Sequence, residues 1–383
     1  MRPQETLEKT DQNAEPFGAA RRVVVKIGSS LLIDGAKNEI RHPWLLALIE
    51  DVVACRARGQ EVVLVSSGSV ALGRRVLKIH DGALKLEESQ AAAACGQVRL
   101  MHAYQQILAW HDLGAAQVLL TLADTEERQA YLNVRATLRN LLGLGTVPVI
   151  NENDTVATPM RRYGDNDRLA ARVAAMIEAD CLILLSDIDG LYSADPSVDP
   201  GARFIPEIRT LTPEITAMGG EARSGFGQGG MRTKIEAARI ALGSGCAMAI
   251  ARGDVLHPLR SILEGGRCSW FLPCCTPVAA RKIWIAGSLN PKGSLLIDAG
   301  AVKALQLGRS LLSVGVTSVC GAFERGDPVS VLAPDGAEIA RGLVAYNDTD
   351  SRKIMGKHSE DFESVLGYGG REEIIHRDDL AVL

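Results

Sequence analysis

Six short runs of the chain are apolar almost throughout, and each has the length of a strand buried on both faces. They span residues 22–27, 61–66, 116–121, 146–150, 181–186 and 247–251. Helical patterns lie between them: Leu169, Val173, Met176 and Ile177, for example, fall at i, i+4, i+7 and i+8. Apolar strands that alternate with amphipathic helices indicate an α/β fold with a mostly parallel sheet covered on both faces.

The pattern changes in the last third of the chain, which suggests a second domain. Residues 257–280 show no clear period and are interpreted as a linker, and residues 1–20 as a flexible N-terminal extension. Short strands with frequent turns are predicted beyond the linker, at 282–286, 294–298, 328–332 and 338–346. Pro334-Asp335-Gly336 between the last two strands is typical of a hairpin turn. A length of 383 residues fits two domains better than one.

Composition excludes several classes of protein. The net charge of −4 argues against a general binder of nucleic acid or of acidic membranes. No apolar run is long enough to span a bilayer, and the polar first twenty residues lack the core of a secretory signal, so a cytoplasmic location is expected. The eight cysteines form no C-x-x-C pair, and no metal site made of protein ligands is predicted.

Two predicted strands end in small turns that suit an anion. The first strand carries Lys26 and runs into Gly28-Ser29-Ser30, where backbone N–H groups can approach a charged ligand closely. The second runs into Ser67-Gly68-Ser69 at the start of a helix, whose N-terminus favours negative charge. A surface lysine and ordinary serine capping remain the alternative interpretations of these two segments.

Acidic and amide side chains cluster after the fourth strand. Asn151-Glu152-Asn153-Asp154 follows it directly, and Gly164-Asp165-Asn166-Asp167 opens the next helix. Such groups suit a substrate ammonium or the water shell of magnesium, although capping of the helix explains the second cluster equally well.

The remaining polar segments are typical of a site that binds a nucleotide. Ser186-Asp187 ends the fifth strand, and a glycine-rich stretch over 224–230 leads into a helix that carries Thr233 and Lys234 in its first turn. It contains no Walker loop, its formal G-x-G-x-x-G match is weak, and a flexible loop is the alternative. Together with Lys26, these segments predict a phosphoryl-transfer site.

Six ordered motifs resemble those of the glutamate 5-kinase family: V-V-V-K-I-G-S-S, V-S-S-G-S-V-A-L-G, I-N-E-N-D-T-V, G-D-N-D-R-L-A-A, L-L-S-D-I-D-G-L-Y and G-Q-G-G-M-R-T-K. The resemblance implies a three-layer amino-acid kinase fold over residues 21–256, followed by a small β-rich PUA domain over 281–376. It also implies that Lys26 and Lys234 stabilise the transferred phosphoryl group and that Asp167 holds both lysines or assists magnesium. Ser67, Asp154 and Asn166 would bind glutamate.

The residues that the resemblance assigns to ATP are Lys26, Ser186, Asp187, Gln228, Gly229, Gly230, Met231, Arg232, Thr233 and Lys234. Two of them depart from the family pattern, because Ser186 and Gln228 stand where threonine is common. The first substitution keeps a hydroxyl, and the second changes a side chain beside the backbone cradle.

The implied reaction is ATP- and Mg²⁺-dependent phosphorylation of the glutamate side-chain carboxylate, the first step of proline biosynthesis. The resemblance further implies inhibition by proline, a homo-oligomer (dimer or tetramer), and delivery of the product to glutamate-5-semialdehyde dehydrogenase. No membrane partner is expected.

Two other functions are compatible with the sequence. A related kinase could act on another small carboxylate, and PUA domains often bind RNA in other proteins. Residues 281–383 contain 12 Lys/Arg and 14 Asp/Glu, a net charge of −2, which argues against RNA as a partner.

Overall fold

The computed structural model describes residues 15–383 apart from 36, 80–81, 158–162, 164, 221–229 and 287–290. The chain divides into two units that meet in sequence between Pro277 and Val278. In the described part of the chain, no helix combines the length and the apolar character needed to cross a membrane.

The first unit is built from strands and helices in alternation. Its strands are β1 (Arg22–Ile27), β2 (Ile33–Asp34), β3 (Glu39–Ile40), β4 (Glu61–Ser66), β5 (Ala115–Leu120), β6 (Val147–Glu152), β7 (Cys181–Ser186), β8 (Leu191–Tyr192), β9 (Phe204–Ile205), β10 (Glu207–Ile208), β11 (Ala247–Arg252) and β12 (Cys268–Phe271). Its helices are α1 (Glu15–Ala19), α2 (Ser29–Leu32), α3 (His42–Ala57), α4 (Ser69–Leu77), α5 (Leu86–Ala109), α6 (Leu122–Glu126), α7 (Arg128–Gly143), α8 (Asn166–Ile177), α9 (Pro213–Ala217), α10 (Met231–Gly243) and α11 (Pro258–Leu263).

Eight of these strands form one sheet in the order β10-β12-β11-β7-β1-β4-β6-β5. All neighbouring pairs are parallel except β11 and β12, which run antiparallel. The predicted bounds of β1, β4 and β7 are confirmed, and those of β5, β6 and β11 differ by one or two residues. The prediction of a mostly parallel sheet is therefore confirmed.

Helices cover both faces of this sheet, which makes three layers. In β1, Val23 and Val25 belong to a buried cluster that includes residues of α3 and α5. Val24 belongs to a second cluster, which includes residues of α8 and α10. Side chains alternate between the faces of a strand, so Lys26, two residues after Val24, lies on the face that α8 covers.

The opposite end of β1 is fixed by a side-chain carboxylate. The Asp180 carboxylate accepts hydrogen bonds from the backbone N–H groups of Arg21 and Arg22, at 2.9 and 2.8 Å. Since Asp180 directly precedes β7, this contact fixes the register between β1 and β7 at the edge of the sheet remote from Lys26.

Two segments are more ordered than the sequence indicated. Residues 257–280, interpreted as a linker, contain α11 and β12, and Trp270 of β12 is buried. Part of the expected N-terminal extension forms α1, in which Phe17 is fully buried and its carbonyl accepts a hydrogen bond from Gln60. Both segments lack a clear apolar period because only a few of their side chains enter the core.

The second unit is small and rich in strands. Its strands are β13 (Gly293–Ile297), β14 (Leu311–Leu312), β15 (Val316–Gly321), β16 (Pro328–Leu332), β17 (Glu338–Leu343), β18 (Glu373–Ile375) and β19 (Leu380–Val382). Its helices are α12 (Pro277–Ala286), α13 (Ala299–Gln306), α14 (Asp348–Ile354) and α15 (Phe362–Leu366). The first residue of α12, Pro277, is the last residue of the first unit. Five strands pair in the order β15-β13-β16-β17-β19, and Gly336 turns between β16 and β17 with φ +85°, as the hairpin signal predicted.

The predicted strand over 282–286 is wrong, because this segment is the end of α12. Ile283 and Ile285 alternate as in a strand, but Arg281 and Ile285 are four residues apart and share a helical face. Arg281 pairs with Asp379 at 2.7 Å, and Ile285 packs in a buried cluster with Leu343. These contacts with residues far along the chain outweigh the local alternation.

Candidate functional site

The polar residues singled out in the sequence meet at one edge of the large sheet. Strands β7, β1, β4 and β6 are neighbours and parallel, so their carboxyl ends lie side by side. The chain order of the strands reverses between β1 and β7, and open α/β sheets bind ligands at such a point.

A buried carboxylate between two lysines forms the centre of this edge. Asp167 is fully buried, and its Oδ1 lies 2.7 Å from Lys26 Nζ while its Oδ2 lies 2.9 Å from Lys234 Nζ. Lys26 Nζ is also 3.7 Å from Asp165 Oδ1. Both lysines are themselves at least nine-tenths buried. This arrangement, the lysine–aspartate cluster, consists of Lys26, Asp165, Asp167 and Lys234.

Local sequence explains how the cluster is held. Asp165 is the N-cap of α8 and accepts a hydrogen bond from Asp167 N at 2.8 Å, which fixes the first turn that carries Asp167. Thr233 in the first turn of α10 donates to Asp165 Oδ2 at 2.6 Å. The N-termini of α8 and α10 are thereby joined, and Lys234 follows Thr233 directly.

The charges of the cluster stabilise one another. Burial lowers the pKa of Lys26, but the carboxylates of Asp167 and Asp165 outweigh this effect, and the pKa of Lys26 is raised. Burial likewise raises the pKa of Asp167, but Lys26 and Lys234 outweigh it, and the pKa of Asp167 is lowered. Both shifts favour the charged forms of Lys26 and Asp167, so their ion pair is stabilised inside the protein.

A second polar group lies beside the end of β4. Asn166 Nδ2 lies 2.7 Å from Ser67 Oγ and 2.9 Å from the carbonyl oxygen of Ser66. It also lies 3.0 Å from Asn151 Oδ1. Asp154 reaches the same turn, with its Oδ2 at 3.5 Å from Ser69 Oγ. Ser67, Asn166 and Asp154, the three residues expected to bind glutamate, thus belong to one connected group.

Two glycines fix the position of the serine turn. A Cβ on Gly73 of α4 would lie 1.7 Å from the carbonyl oxygen of Ala92, and one on Gly96 of α5 would lie 1.7 Å from that of Ser69. The backbones of α4 and α5 are therefore in direct contact, and no side chain fits between them. Gly68, with φ +109°, turns the chain from β4 into α4.

The residues after β7 line the neighbouring part of the edge. Ser186 Oγ lies 3.0 Å from Asp187 Oδ1, and the Asp187 side chain is exposed. The carbonyl of Ser186 accepts a hydrogen bond from Gly253 N at 2.7 Å. Ser186 is thus held by backbone contacts while Asp187 remains accessible.

The glycine-rich stretch is only partly within the described residues. Gln228 and Gly229 lie outside them, Gly230 is the N-cap of α10, and Met231 is its first residue. Arg232 is exposed and pairs with Glu236 on its own helix rather than with the lysine–aspartate cluster. Thr233 and Lys234 are the residues of this stretch that the structure brings into the cluster.

Three residues at the site had no individual role predicted from the sequence. Asp165 was expected only as a member of the acidic cluster, with capping of the helix as the alternative, and the structure places it beside Lys26. Asn151 lies in a quoted motif and joins Asn166 to Gln97. Gln97 lies in the middle of α5 and is 8% exposed, and its sequence context carries no signal beyond the preceding Gly96.

The carboxylates of the site are the groups that could hold a cation. Among the residues that the structure describes, no group of three or more His, Cys, Asp or Glu side chains is arranged to hold a metal ion. Asp165 and Asp187 nevertheless supply carboxylate oxygens near the ends of β6 and β7, and Mg²⁺ bound to phosphates commonly uses only one or two such groups together with water.

Comparison with known proteins gives consistent results. A model of the amino acid kinase family matches residues 21–252, and a model of the PUA domain matches residues 293–366. The chain is 60% identical over 367 residues to the glutamate 5-kinase of Paramagnetospirillum magneticum, covering 96% of this chain and 99% of that protein. It is 59% identical over 362 residues to the glutamate 5-kinase of a Bradyrhizobium species, covering 94% and 96%. To that of Rhizobium etli it is 56% identical over 368 residues, covering 96% and 94%.

Proposed function

Because this chain belongs to the glutamate 5-kinase family of amino acid kinases, we propose that it transfers the γ-phosphoryl group of ATP to the side-chain carboxylate of glutamate. The observation that carries this proposal is the lysine–aspartate cluster at the carboxyl ends of β1 and β6. It brings the side chains of two lysines together beside the N-termini of α8 and α10, and these donors suit the oxygens of a transferred phosphoryl group.

The chemistry requires no general base. A glutamate side chain has a reference pKa of about 4.3, so its carboxylate is already ionised at neutral pH. A carboxylate oxygen forms a bond to the γ-phosphorus while the bond from that phosphorus to the β–γ bridging oxygen breaks, and ADP departs with the electron pair. The protein has to bring two anions together and balance their charge.

Three groups of residues at the site have different roles in this reaction. Lys26 and Lys234 stabilise the charge on the transferred phosphoryl oxygens, and Asp167 holds the two lysines in place. Ser67, Asp154 and Asn166 bind glutamate beside the end of β4. Ser186, Asp187 and the segment 228–234 bind ATP, with the N-terminus of the 13-residue helix α10 facing the phosphates.

Magnesium would accompany the nucleotide. Asp187, whose side chain is exposed, is the carboxylate that would hold its water shell, whereas both oxygens of Asp165 already accept hydrogen bonds from Asp167 N and Thr233 Oγ1. The ion when bound would supply further positive charge to the phosphate oxygens. Asp167 is less suited to contact the ion directly, because both its oxygens already lie within 3 Å of a lysine.

Trapping of the acyl phosphate tests the proposal. Hydroxylamine converts an acyl phosphate to a hydroxamate, so hydroxamate is measured with ATP and with glutamate, aspartate or N-acetylglutamate, each with and without Mg²⁺. We expect a signal with glutamate that requires both ATP and Mg²⁺. Folded protein that gives no signal with any of the three acceptors would refute the kinase assignment, and a signal with another acceptor alone would refute the substrate.

Several properties complete the proposal. Residues 21–256 form the kinase domain and 281–376 the PUA domain of a cytoplasmic homo-oligomer, a dimer or a tetramer. The product enters proline biosynthesis and is passed to glutamate-5-semialdehyde dehydrogenase, and proline inhibits the enzyme. Adding proline to the hydroxamate assay tests the inhibition, and a signal that proline leaves unchanged would contradict it.

A further inference from the structure

A chain of three side-chain amides connects helix α5 with the proposed glutamate site. Asn166 Nδ2 donates to Asn151 Oδ1 at 3.0 Å, and Asn151 Nδ2 donates to Gln97 Oε1 at 3.0 Å. Asn151 is 2% exposed and Gln97 is 8% exposed. Below, this set of Gln97, Asn151 and Asn166 is called the amide chain.

Backbone groups determine which way each amide points. The Ser66 carbonyl can only accept a hydrogen bond, so the atom of Asn166 that lies 2.9 Å from it must be the NH₂ group. The backbone N–H of Glu152 can only donate, so the atom of Asn151 that lies 2.8 Å from it must be the carbonyl oxygen. Asn151 Nδ2 is then directed toward Gln97, which must accept.

This orientation decides what Asn166 offers to a ligand. Its NH₂ group lies within 3.0 Å of three protein oxygens, those of Ser66, Ser67 and Asn151, and is fully occupied. Within the described residues its Oδ1 accepts no hydrogen bond from the protein. Asn166 therefore presents an acceptor, which suits the α-ammonium group of an amino acid rather than a carboxylate.

Gln97 is held rigidly at the far end of the amide chain. Its neighbour Gly96 contacts the backbone of Ser69 so closely that a Cβ there would lie 1.7 Å from the Ser69 carbonyl oxygen. Tyr104, two helical turns further along α5, donates to Ser66 Oγ at 2.9 Å. Helix α5 is thus attached on both sides of Gln97 to the turn that carries Ser67.

We propose that Gln97 is a positioning residue that, through Asn151, keeps the Asn166 carbonyl oxygen directed at the α-ammonium group of glutamate. Without the acceptor on Gln97, the buried NH₂ group of Asn151 would keep only the longer contact with Ser69 Oγ, at 3.4 Å. The Asn151 side chain would then be held less firmly, and it supplies one of the three acceptors that hold the NH₂ group of Asn166. This inference rests on the proposed function, because it concerns the same substrate site.

The test compares glutamate with glutarate, which lacks the α-ammonium group. Gln97→Leu should lower kcat/KM for glutamate about tenfold, mainly through KM, and leave KM for ATP unchanged. With glutarate the same substitution should change kcat/KM less than about twofold. Gln97→Glu keeps an acceptor and should restore kcat/KM for glutamate to within about threefold of the wild type.

Gln105→Leu provides the matched control, since Gln105 is an exposed residue of the same helix. It should leave all these constants unchanged. An equal loss for glutamate and glutarate in Gln97→Leu would make Gln97 a merely structural residue and overturn the inference. A wild-type protein that neither phosphorylates glutamate nor binds it in calorimetry would overturn the proposed function and the inference together, whereas an active wild type with an unchanged Gln97→Leu would overturn the inference alone.

Discussion

Replacing Asp167 with asparagine would remove the charge that separates two buried lysines and change almost nothing in shape. Asp167 is fully buried, and the side chains of Lys26 and Lys234 are 8% and 7% exposed. After the substitution, Lys26 would retain only Asp165, at 3.7 Å, and two ammonium groups would face each other across a neutral amide.

The expected cost follows from the burial of this cluster. Removing one partner of a buried ion pair typically lowers the free energy of unfolding by about 3–5 kcal/mol, because an uncompensated charge remains in the interior. Two lysines lose their counter-ion here, so we expect a loss of at least about 3 kcal/mol at pH 7. Turnover should also fall by at least about a hundredfold, since the lysines would no longer be held at a fixed distance.

The pKa shifts of Asp167 and Lys26 determine how the stability difference between wild type and Asp167→Asn depends on pH. The lowered pKa of Asp167 contributes stability above its unfolded value of about 3.9, and this is lost as the pH falls through the folded value. The raised pKa of Lys26 contributes stability below about 10.4, and this is lost as the pH rises through the folded value. The difference between wild type and Asp167→Asn should therefore be largest between about pH 4 and 10 and shrink outside that window.

Urea unfolding followed by tryptophan fluorescence measures this difference, because Trp44 and Trp270 are buried in the first unit. Asp254→Asn is the matched control: Asp254 pairs with Arg252 at 2.5 Å, but both side chains are well exposed, so the loss should be below about 1 kcal/mol. A loss in Asp167→Asn no larger than in this control, or one that does not vary with pH, would refute the account of the cluster.

Three further predictions concern other parts of the first unit. Lys26→Met should lower kcat by at least about a hundredfold with little change in KM for glutamate; steady-state kinetics in which only KM rises would make Lys26 a ground-state binder. Gly73→Ala forces a Cβ to within 1.7 Å of the Ala92 carbonyl oxygen and should destabilise the protein by about 1–3 kcal/mol or more in thermal unfolding. Gly243→Ala, at a helical glycine with no atom within 4 Å of the added Cβ, should be neutral or stabilising, and equal effects of the two would contradict the close helix contact. Asp51→Ala leaves two N–H groups at the start of α11 without their acceptor and should cost about 1–3 kcal/mol in urea unfolding, whereas no loss would show that water replaces the carboxylate.

The strands and the segments that follow them could be predicted from the sequence because the signal is local. Six apolar runs fix most of the central sheet, and parallel strands bring their carboxyl ends together whatever the helices do. Lys26 was therefore identifiable as a residue of the site, as was the acidic cluster that contains Asp167. The distance between Lys26 and Asp167 could not be predicted, because it depends on how α8 and α10 pack on one face of the sheet.

Other features depend on partners far along the chain and leave no local pattern. The segment 282–286 alternates like a strand, yet Arg281 pairs with Asp379, almost a hundred residues later, and the segment is helical. Gln97 lies in helix α5, and the sequence around it shows only that this segment is helical. Its role depends on Asn151, 54 residues away. β12 is only four residues long, and its place in the sheet depends on pairing with β10 and β11.

The length of β1 has a consequence for how sequences of this kind can change. One end of the strand is fixed by the Asp180 carboxylate, and the other carries Lys26 on the face of α8. Adding or removing a single residue between these points would turn Lys26 toward α3 and α5, where it would meet hydrocarbon instead of Asp167. Insertions and deletions should therefore be absent from this stretch in active variants, and a library of single-residue insertions should recover activity only outside residues 22–26.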